Sequence, residues 1–229
     1  MQFDHPCRGT FLSRPNRFVA LCCVDGREVP VHVKNTGRLR ELLLPGAEVL
    51  LSRAGAPGRK TAFDLRCVRA GADWVCVDSQ APNALAAECL PRLLPGLRRL
   101  LPEQRYGQSR FDFAFETDAG QGFAEVKGVT LLRNGIALFP DAPTLRGARH
   151  LRELARARAE GYQALVLFLI QRKGARALMP NRQTHPDFAL ALAEAAAAGV
   201  RLCAMDCLVT AEQTAADAPV PVILDDLEE

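Results

Sequence analysis

Residues 109–127 read SRFDFAFETDAGQGFAEVK, and this stretch determines the architecture of the second half of the chain. Every second residue of its first part is aromatic, which is the side-chain period of a β-strand. The pattern predicts a strand with Phe111, Phe113 and Phe115 on one face and Asp112 on the other. Glycine then recurs in the middle of the stretch, as expected for a turn. The whole stretch is therefore predicted to form an antiparallel hairpin.

The second strand of this hairpin carries Glu125 and Lys127 on one side and Val126 on the other. An antiparallel register brings Asp112 beside this pair. Two carboxylates supply the oxygen ligands that Mg²⁺ or Mn²⁺ prefers, and a lysine can orient a water molecule or a phosphate. This arrangement suits metal-dependent phosphodiester hydrolysis. The spacing alone fits an exposed strand with a Glu/Lys surface pair equally well.

The first 80 residues have the pattern of a small all-β domain. Short apolar runs alternate with turn dipeptides, which predicts a five-strand barrel of the OB type. The turn signals are Asp25-Gly26, Thr36-Gly37, Pro45-Gly46 and Pro57-Gly58. Four aromatic side chains are expected in the barrel core rather than as base-stacking platforms, namely Phe11, Phe18, Phe63 and Trp74.

Basic residues near the strand ends of this barrel are candidates for contact with phosphate groups. They are Arg14, Arg17, Lys34 and Arg38, and the alternative is that they are solvated strand ends. The formal net charge is only +3, but residues 1–80 hold 12 basic and 8 acidic side chains. A mildly basic surface predicts salt-sensitive binding of low sequence specificity to nucleic acid.

The remainder of the chain is predicted to form an α/β core around the hairpin. Strands are predicted at 135–139, 164–170, 176–179 and 200–203, and helices at 83–89, 145–160 and 186–199. Pro91 is expected to end the first helix. The second helix has a basic face on which Arg146, Arg149 and His150 are candidates to hold a nucleic-acid strand, although a basic face is commonly just solvated.

Composition disfavours several classes of protein. No run approaches the roughly 20 apolar residues that cross a bilayer, and no secretory signal is visible, so a cytoplasmic protein without membrane contact is expected. The eight cysteines include no Cys-x-x-Cys pair, so free thiols are expected rather than disulfides or structural zinc. The sequence has no nucleotide-binding fingerprint and no credible Ser/His/Asp or Cys/His arrangement. Hydrolase classes other than metal-dependent ones therefore have little support.

Six segments of the chain occur in an order typical of one protein family. They are RPNRF at 14–18, NTG at 35–37, SRFDF at 109–113, EVKGVTL at 125–131, FPDAPTLRG at 139–147 and HLREL at 150–154. Together they resemble the sugar fermentation stimulation protein A (SfsA) family. The resemblance implies an α/β (α+β) protein with an OB-like barrel at 1–80. It implies a PD-(D/E)xK nuclease-like mixed sheet flanked by helices at 81–229.

The same resemblance implies roles for individual residues. Asp112, Glu125 and Lys127 match the catalytic positions of the nuclease fold. Nucleases of that fold often carry an acid on the helix before the core strands, so Glu88 is a third candidate metal ligand, although a solvent-facing glutamate is the simpler interpretation. Asn35 becomes part of a binding loop rather than only a turn, and Arg110 joins the candidates for nucleic-acid contact.

Two functions of different class follow from these observations. The first is a DNA-binding protein that cleaves phosphodiester bonds with Mg²⁺ or Mn²⁺ as cofactor. The second is a DNA-binding regulator of sugar metabolism that does not cleave, in which the acidic pocket is vestigial or structural. A pocket for RNA or for a small phosphorylated ligand is a third option, and a homodimer is compatible with the sequence.

Overall fold

The computed structural model describes residues 1–53 and 61–225, so the predicted Pro57-Gly58 turn lies outside the described residues. The described chain has two parts. The first part holds six strands, all joined in one sheet: β1 (Pro6–Asn16), β2 (Val19–Val24), β3 (Arg27–His32), β4 (Glu48–Arg53), β5 (Phe63–Ala70) and β6 (Asp73–Cys76).

Five of these strands close into a barrel. Antiparallel pairs run in the order β3-β2-β1-β4-β5, and a short parallel pairing of β3 with β5 closes the ring, with Val31 opposite Phe63. Strands such as β2 bury every second residue, as expected when one face covers a core. The predicted five-strand barrel is confirmed.

The aromatic residues of this part divide between the core and the surface. Phe11 and Phe63 are buried in the barrel core, as predicted. Trp74 is buried, but it packs with Phe3 in a separate cluster at the boundary with the second part. Phe18 is 45% exposed, so its predicted core position is wrong. It lies in the turn between β1 and β2, outside the alternation that buries strand residues.

The second part holds three helices and nine strands within the described residues. In chain order they are α1 (Ala81–Leu93), β7 (Arg99–Tyr106), β8 (Ser109–Thr117), β9 (Gly120–Val129), β10 (Leu132–Arg133), β11 (Ile136–Phe139), α2 (Leu145–Ala159), β12 (Gln163–Ile170), β13 (Ala177–Pro180), α3 (Pro186–Ala197), β14 (Arg201–Val209) and β15 (Thr214–Val220). The predicted hairpin at 109–127 is present as β8 and β9.

Six of these strands form a mixed sheet in the order β15-β14-β12-β9-β8-β7. The three central strands are parallel and the outer pairs are antiparallel. β12 is buried on both faces, because Leu165 and Leu167 pack in the cluster that contains α1 whereas Val166 and Phe168 pack in the cluster that contains α2 and α3. Strands β10, β11 and β13 form a smaller sheet. The predicted mixed α/β class is confirmed.

Helix α1 is longer than the sequence suggested. Pro91 lies inside the helix, which continues to Leu93, so the prediction that Pro91 ends it is wrong. Leu90 and Leu94 are both buried against the sheet on either side of this proline, and the N–H of Leu94 bonds to the carbonyl of Leu90. Packing of these leucines outweighs the backbone hydrogen bond that proline cannot make.

The two parts of the molecule share direct contacts. Gln171, which follows β12, accepts the N–H of Cys76 from β6 at 2.9 Å, and its side-chain amide donates to the carbonyl of Asp78 at 3.2 Å. The N–H of Phe3 bonds to the carbonyl of Glu212, so the first residues of the chain pair with the second part. Among the described residues, no helix is long and apolar enough to cross a membrane.

Candidate active site

Strands β8 and β9 separate at Asp112. Their pairing runs from Thr117 opposite Gly120 to Phe113 opposite Ala124 and stops there, whereas β9 continues beside β12. At the point of separation, the Oδ2 atom of Asp112 accepts the backbone N–H of Val126 at 2.8 Å. The carboxylate therefore replaces a strand-to-strand hydrogen bond and is held in the fork between the two strands.

The fork also changes the face on which β8 places its aromatic rings. Phe113 and Phe115 pack in the cluster that contains α1, as neighbours on one face. Phe111 packs in the opposite cluster, with its ring 5.3 Å from that of Phe123. The prediction of a shared face is therefore right for two of the rings and wrong for Phe111. The neighbouring strand is irregular at this level, because Glu103 has a φ of 52°.

Asp112 is held by uncharged donors. Besides the Val126 N–H, the side-chain amide of Asn83 donates to its Oδ1 atom at 2.9 Å. Burial raises the pKa of Asp112, and the negative charge of Glu125 raises it further, against the opposing effect of these two hydrogen bonds. A carboxyl group whose ionisation is disfavoured by a neighbouring carboxylate marks a place where a cation is favourable.

Glu125 is only 3% exposed. Its Oε1 atom lies 2.5 Å from the ammonium of Lys127 and 2.5 Å from Nδ1 of His150. Burial alone would raise the pKa of Glu125, but the hydrogen bond from His150 and the charge of Lys127 outweigh burial and lower it. Glu125 therefore stays ionised in an enclosed site. Its second oxygen, Oε2, is buried and accepts no hydrogen bond from the described residues.

His150 links the acid to helix α2. The Nε of Arg146 donates to Nε2 of His150 at 3.2 Å, so Nε2 is the acceptor and Nδ1 carries the proton that is donated to Glu125. His150 is 2% exposed. The structure thus places this predicted nucleic-acid contact behind Glu125, where it orients the carboxylate.

Asp112, Glu125 and Lys127 line one cavity of about 400 Å³. Asn35 and Ser79 reach its wall from the first part of the molecule, and Arg146 and Gly147 reach it from the start of α2. Thr144 caps this helix by accepting the N–H of Gly147 at 3.0 Å. The first turn of a helix carries free N–H groups and partial positive charge, so this wall favours an anion.

Glu88 lies outside the cavity. Its side chain is 56% exposed and pairs with the N-terminal amine of Met1 at 3.3 Å. Asn83 is the residue of α1 that reaches Asp112, and Glu88 is five residues further along, about 140° around the helix axis. The structure therefore does not bring Glu88 to the other two acids.

Two of the basic residues predicted in the barrel are engaged within the protein. The guanidinium of Arg14 donates to the carbonyls of Gly37, Arg38, Arg17 and Asn35 at 2.7–3.1 Å. Lys34 lies 3.5 Å from Asp64 and 3.4 Å from Asp78 and is 16% exposed. Arg17 and Arg38 are exposed. The phosphate contacts of these residues stay predictions.

Arg110 and Arg149 are exposed and do not line the cavity. Arg110 lies 3.5 Å from Glu103 at the edge of the sheet. Arg149 projects from α2 one residue before His150. Contact of either residue with nucleic acid therefore requires a strand that extends beyond the cavity.

The acids present fit a hard divalent cation. Within the described residues no group of three or more His, Cys, Asp or Glu side chains could hold a metal, so the protein itself would offer the carboxylates of Asp112 and Glu125. Mg²⁺ is commonly held by one or two carboxylates, with water and substrate phosphate completing its shell. The buried Oε2 of Glu125, which has no described partner, is the atom that such an ion would satisfy.

Sequence reasoning missed several residues of the site. Asn83, Ser79 and Gln171 come from distant segments, and only their position in the fold reveals them. Gly128 carried a local signal, because glycine inside a strand marks a close approach of other atoms. A Cβ at this position would lie 2.6 Å from Oε1 of Gln171 and 2.6 Å from Cγ of Pro82.

The structure thus defines a class of protein in which a closed five-strand barrel is joined to a mixed sheet whose forked hairpin presents Asp, Glu and Lys to a polar cavity. The chain belongs to the sugar fermentation stimulation protein family. Residues 80–213 match the sugar fermentation stimulation protein RE domain, and residues 12–77 match the SfsA N-terminal OB domain. The resemblance inferred from sequence segments is confirmed at the level of the family.

Curated relatives from several organisms are similar to this chain over most of their length. A sugar fermentation stimulation protein homolog of Desulfitobacterium hafniense (strain Y51) is 48% identical over 98% of this chain and 99% of the relative. The homolog of Methanothermobacter thermautotrophicus is 43% identical over 88% of this chain and 86% of the relative. A solved structure described as Pyrococcus furiosus SfsA in complex with Ca²⁺ has a TM-score of 0.87 and 28% identity, covering 97% of this chain and 98% of that one.

Proposed function

We propose that this protein binds DNA and hydrolyses its phosphodiester bonds with Mg²⁺ or Mn²⁺ as cofactor. The observation that carries the proposal is that Glu125 lines the same cavity as Asp112 and Lys127 while its buried Oε2 atom has no described hydrogen-bond partner. A buried carboxylate oxygen without a partner is costly unless a ligand satisfies it. The structure of Pyrococcus furiosus SfsA is a complex with Ca²⁺, which supports a divalent cation as that ligand.

Each residue of the site has a role in this proposal. Asp112 and Glu125 would hold the ion, which when bound supplies charge stabilisation at the phosphate and lowers the pKa of a bound water. Lys127 orients the nucleophile or a phosphate oxygen. His150 holds Glu125 in place through its Nδ1–H. The first turn of α2 and Arg146 bind the negatively charged phosphates of the DNA strand.

A second candidate function is DNA binding without cleavage. The observation that favours it is the 2.5 Å contact between the ammonium of Lys127 and Oε1 of Glu125, which neutralises one of the two acids from within the protein. A regulator that uses the pocket only as a structural ion pair would keep this contact. Both functions require DNA binding, and only the first requires a metal at the acids.

Cleavage assays on single-stranded, linear duplex and supercoiled DNA with Mg²⁺, Mn²⁺ or EDTA separate these functions. We expect metal-dependent cleavage that is lost in Asp112→Ala and Lys127→Ala. The matched control is Asp118→Ala, because Asp118 lies in the turn of the same hairpin, where its exposed side chain pairs with Arg98. Cleavage that survives both site variants would refute the site, and salt-sensitive binding without cleavage under any metal would establish the regulator.

A further inference from the structure

A second surface of the barrel lies beside the candidate active site. It consists of the β1–β2 turn and the loop after β3, and it encloses a shallow cavity of about 300 Å³. We call it the arginine rim, and its exposed members are Arg17, Phe18, Arg38 and Arg40.

The two loops of the arginine rim are held by hydrogen bonds from side chains to the backbone, two of them part-buried and two exposed. The guanidinium of Arg14 ties the two loops together by donating to the carbonyls of Arg17 and Gly37, each at 2.7 Å. The side chain of Asn16 accepts the N–H of Phe18 at 2.9 Å, and that of Asn35 accepts the N–H of Gly37 at 2.8 Å. A surface fixed in this way loses little conformational entropy when it binds a ligand.

Phe18 is the unusual member of the arginine rim. Its ring is 45% exposed, and the guanidinium of Arg17 lies 4.7 Å from the ring centre. Among the described residues, Arg17, Arg38 and Arg40 form no ion pair, in contrast to Arg8 and Arg152, which pair with acids. An exposed ring beside arginines without acidic partners is the combination that binds an unpaired base and its phosphates.

The arginine rim is continuous with the candidate active site through one loop. Asn35 lines the active-site cavity, and Thr36, Gly37 and Arg38 line the rim. Gly37 packs so closely on Asp141 of the second part that a Cβ would lie 3.0 Å from its carboxylate. A strand that leaves the active-site cavity along this loop meets the rim next.

We propose that the arginine rim binds a single-stranded segment of the DNA substrate, with one base stacked on Phe18 and the neighbouring phosphates on Arg38 and Arg40. The inference rests on the proposed function for the identity of the substrate. A single strand is required because the faces of duplex bases are already stacked on their neighbours. Barrels of this type commonly use the loop between their first two strands to contact oligonucleotides.

The test measures binding in EDTA by the full chain, so that cleavage plays no part. The probe is a 12-nucleotide thymidine strand with one central 2-aminopurine, whose fluorescence falls on stacking, and the comparison is the same strand in a duplex. We expect Phe18→Leu to weaken single-strand binding roughly tenfold and to abolish the quenching, and Phe18→Tyr to retain both. Arg38→Ala should reduce the dependence of log affinity on log salt by about 0.7.

The control is Arg27→Ala, because Arg27 is an exposed arginine at the opposite end of the β2–β3 hairpin, about 20 Å along the strand from Phe18. The proposal is overturned if Phe18→Leu binds and quenches as the wild type does. It is also overturned if the duplex binds as tightly as the single strand, or if neither binds. Binding and stacking without cleavage under any metal would instead refute the proposed function and leave the arginine rim as a binding site.

Discussion

Two lysine centres lie near the junction of the two parts, and they differ in how completely their acids are satisfied. In the Lys34 cluster (Lys34, Asp64, Arg66 and Asp78), both acids contact a cation, and Asp78 also accepts the N–H of Gln80 at 2.9 Å. In the Lys127 cluster (Lys127, Glu125, Asp112 and His150), the hydrogen bonds that Asp112 accepts from described residues all come from uncharged donors.

The difference separates a structural ion cluster from a candidate site. The Lys34 cluster is closed, with the Asp78 side chain 1% exposed and both its oxygens bonded. The Lys127 cluster borders a cavity and leaves one buried oxygen of Glu125 without a described partner. Both clusters bury charged groups. The feature that marks the Lys127 cluster as a candidate site is therefore the buried oxygen of Glu125 without a described hydrogen-bond partner.

The largest expected effect is on activity. Lys127→Met should lower metal-dependent cleavage at least 100-fold, roughly 3 kcal/mol in transition-state stabilisation, because the cavity loses its only described lysine. The free energy of unfolding should fall by less than this, because His150 still donates to Glu125 after Lys127 is removed. Single-turnover cleavage and thermal unfolding of the same preparations measure the two quantities. If the free energy of unfolding falls by as much as the transition-state stabilisation, the proposed contrast between the two clusters is wrong.

The matched change in the other centre should act on stability. Lys34→Met leaves Asp64 and Asp78 with fewer cationic contacts in a buried position, and we expect a loss of about 2 kcal/mol in the free energy of unfolding. Urea denaturation measures it. Cleavage per folded molecule should stay within the same range as the wild type. A selective loss of cleavage at unchanged stability would make the Lys34 cluster part of the site.

A smaller effect, on metal affinity, is expected from the residue that donates to Glu125. His150→Leu removes the donor that lowers the pKa of Glu125, so that pKa should rise. We expect Mg²⁺ affinity to fall roughly tenfold, and more at pH 6 than at pH 8, because a larger share of Glu125 is then protonated. Titration calorimetry at the two pH values measures this. Arg149→Leu, one residue earlier on an exposed position of α2, serves as the control and should bind Mg²⁺ normally.

The smallest effect concerns Asp112 in the absence of metal. Its pKa is raised in the folded protein, so its ionisation destabilises the fold at neutral pH, and this cost disappears as pH falls to about 4. The stability of Asp112→Asn relative to the wild type should therefore be greater at pH 7 than at pH 4. Melting temperatures in EDTA across this range test it. A difference from the wild type that is the same at both pH values would show that the ionisation of Asp112 costs the fold nothing.

Local patterns in the sequence predicted much of the fold. The alternation of Phe113 and Phe115 and the spacing of Glu125 and Lys127 are properties of single strands, and the structure shows both. Strands β7 and β15 were not predicted, because both lie at edges of the sheet and are rich in charged, polar or small residues. Neither carries the regular apolar alternation that signals a strand.

The features that the sequence did not predict depend on contacts between distant segments of the chain. Phe111 changed faces because β8 leaves β9 at Asp112, and strand period cannot foresee a fork. Asn83 was placed on the helix before the core strands, but the choice between Asn83 and Glu88 depends on how that helix is rotated against the sheet. The exposure of Phe18 follows from its position in a turn, which hydrophobicity alone does not reveal.

Gln171 has a consequence for the way the whole molecule melts. Its backbone carbonyl accepts the N–H of Cys76 at the end of β6, and its side-chain amide donates to the carbonyl of Asp78, two residues further on. Its own N–H bonds to the carbonyl of Val129, at the end of the strand that bears Glu125 and Lys127. Neither half can open without freeing hydrogen-bonding groups of the other. Heat is therefore expected to unfold the described chain in one cooperative transition, and a cut between residues 79 and 80 is not expected to yield two independently stable pieces.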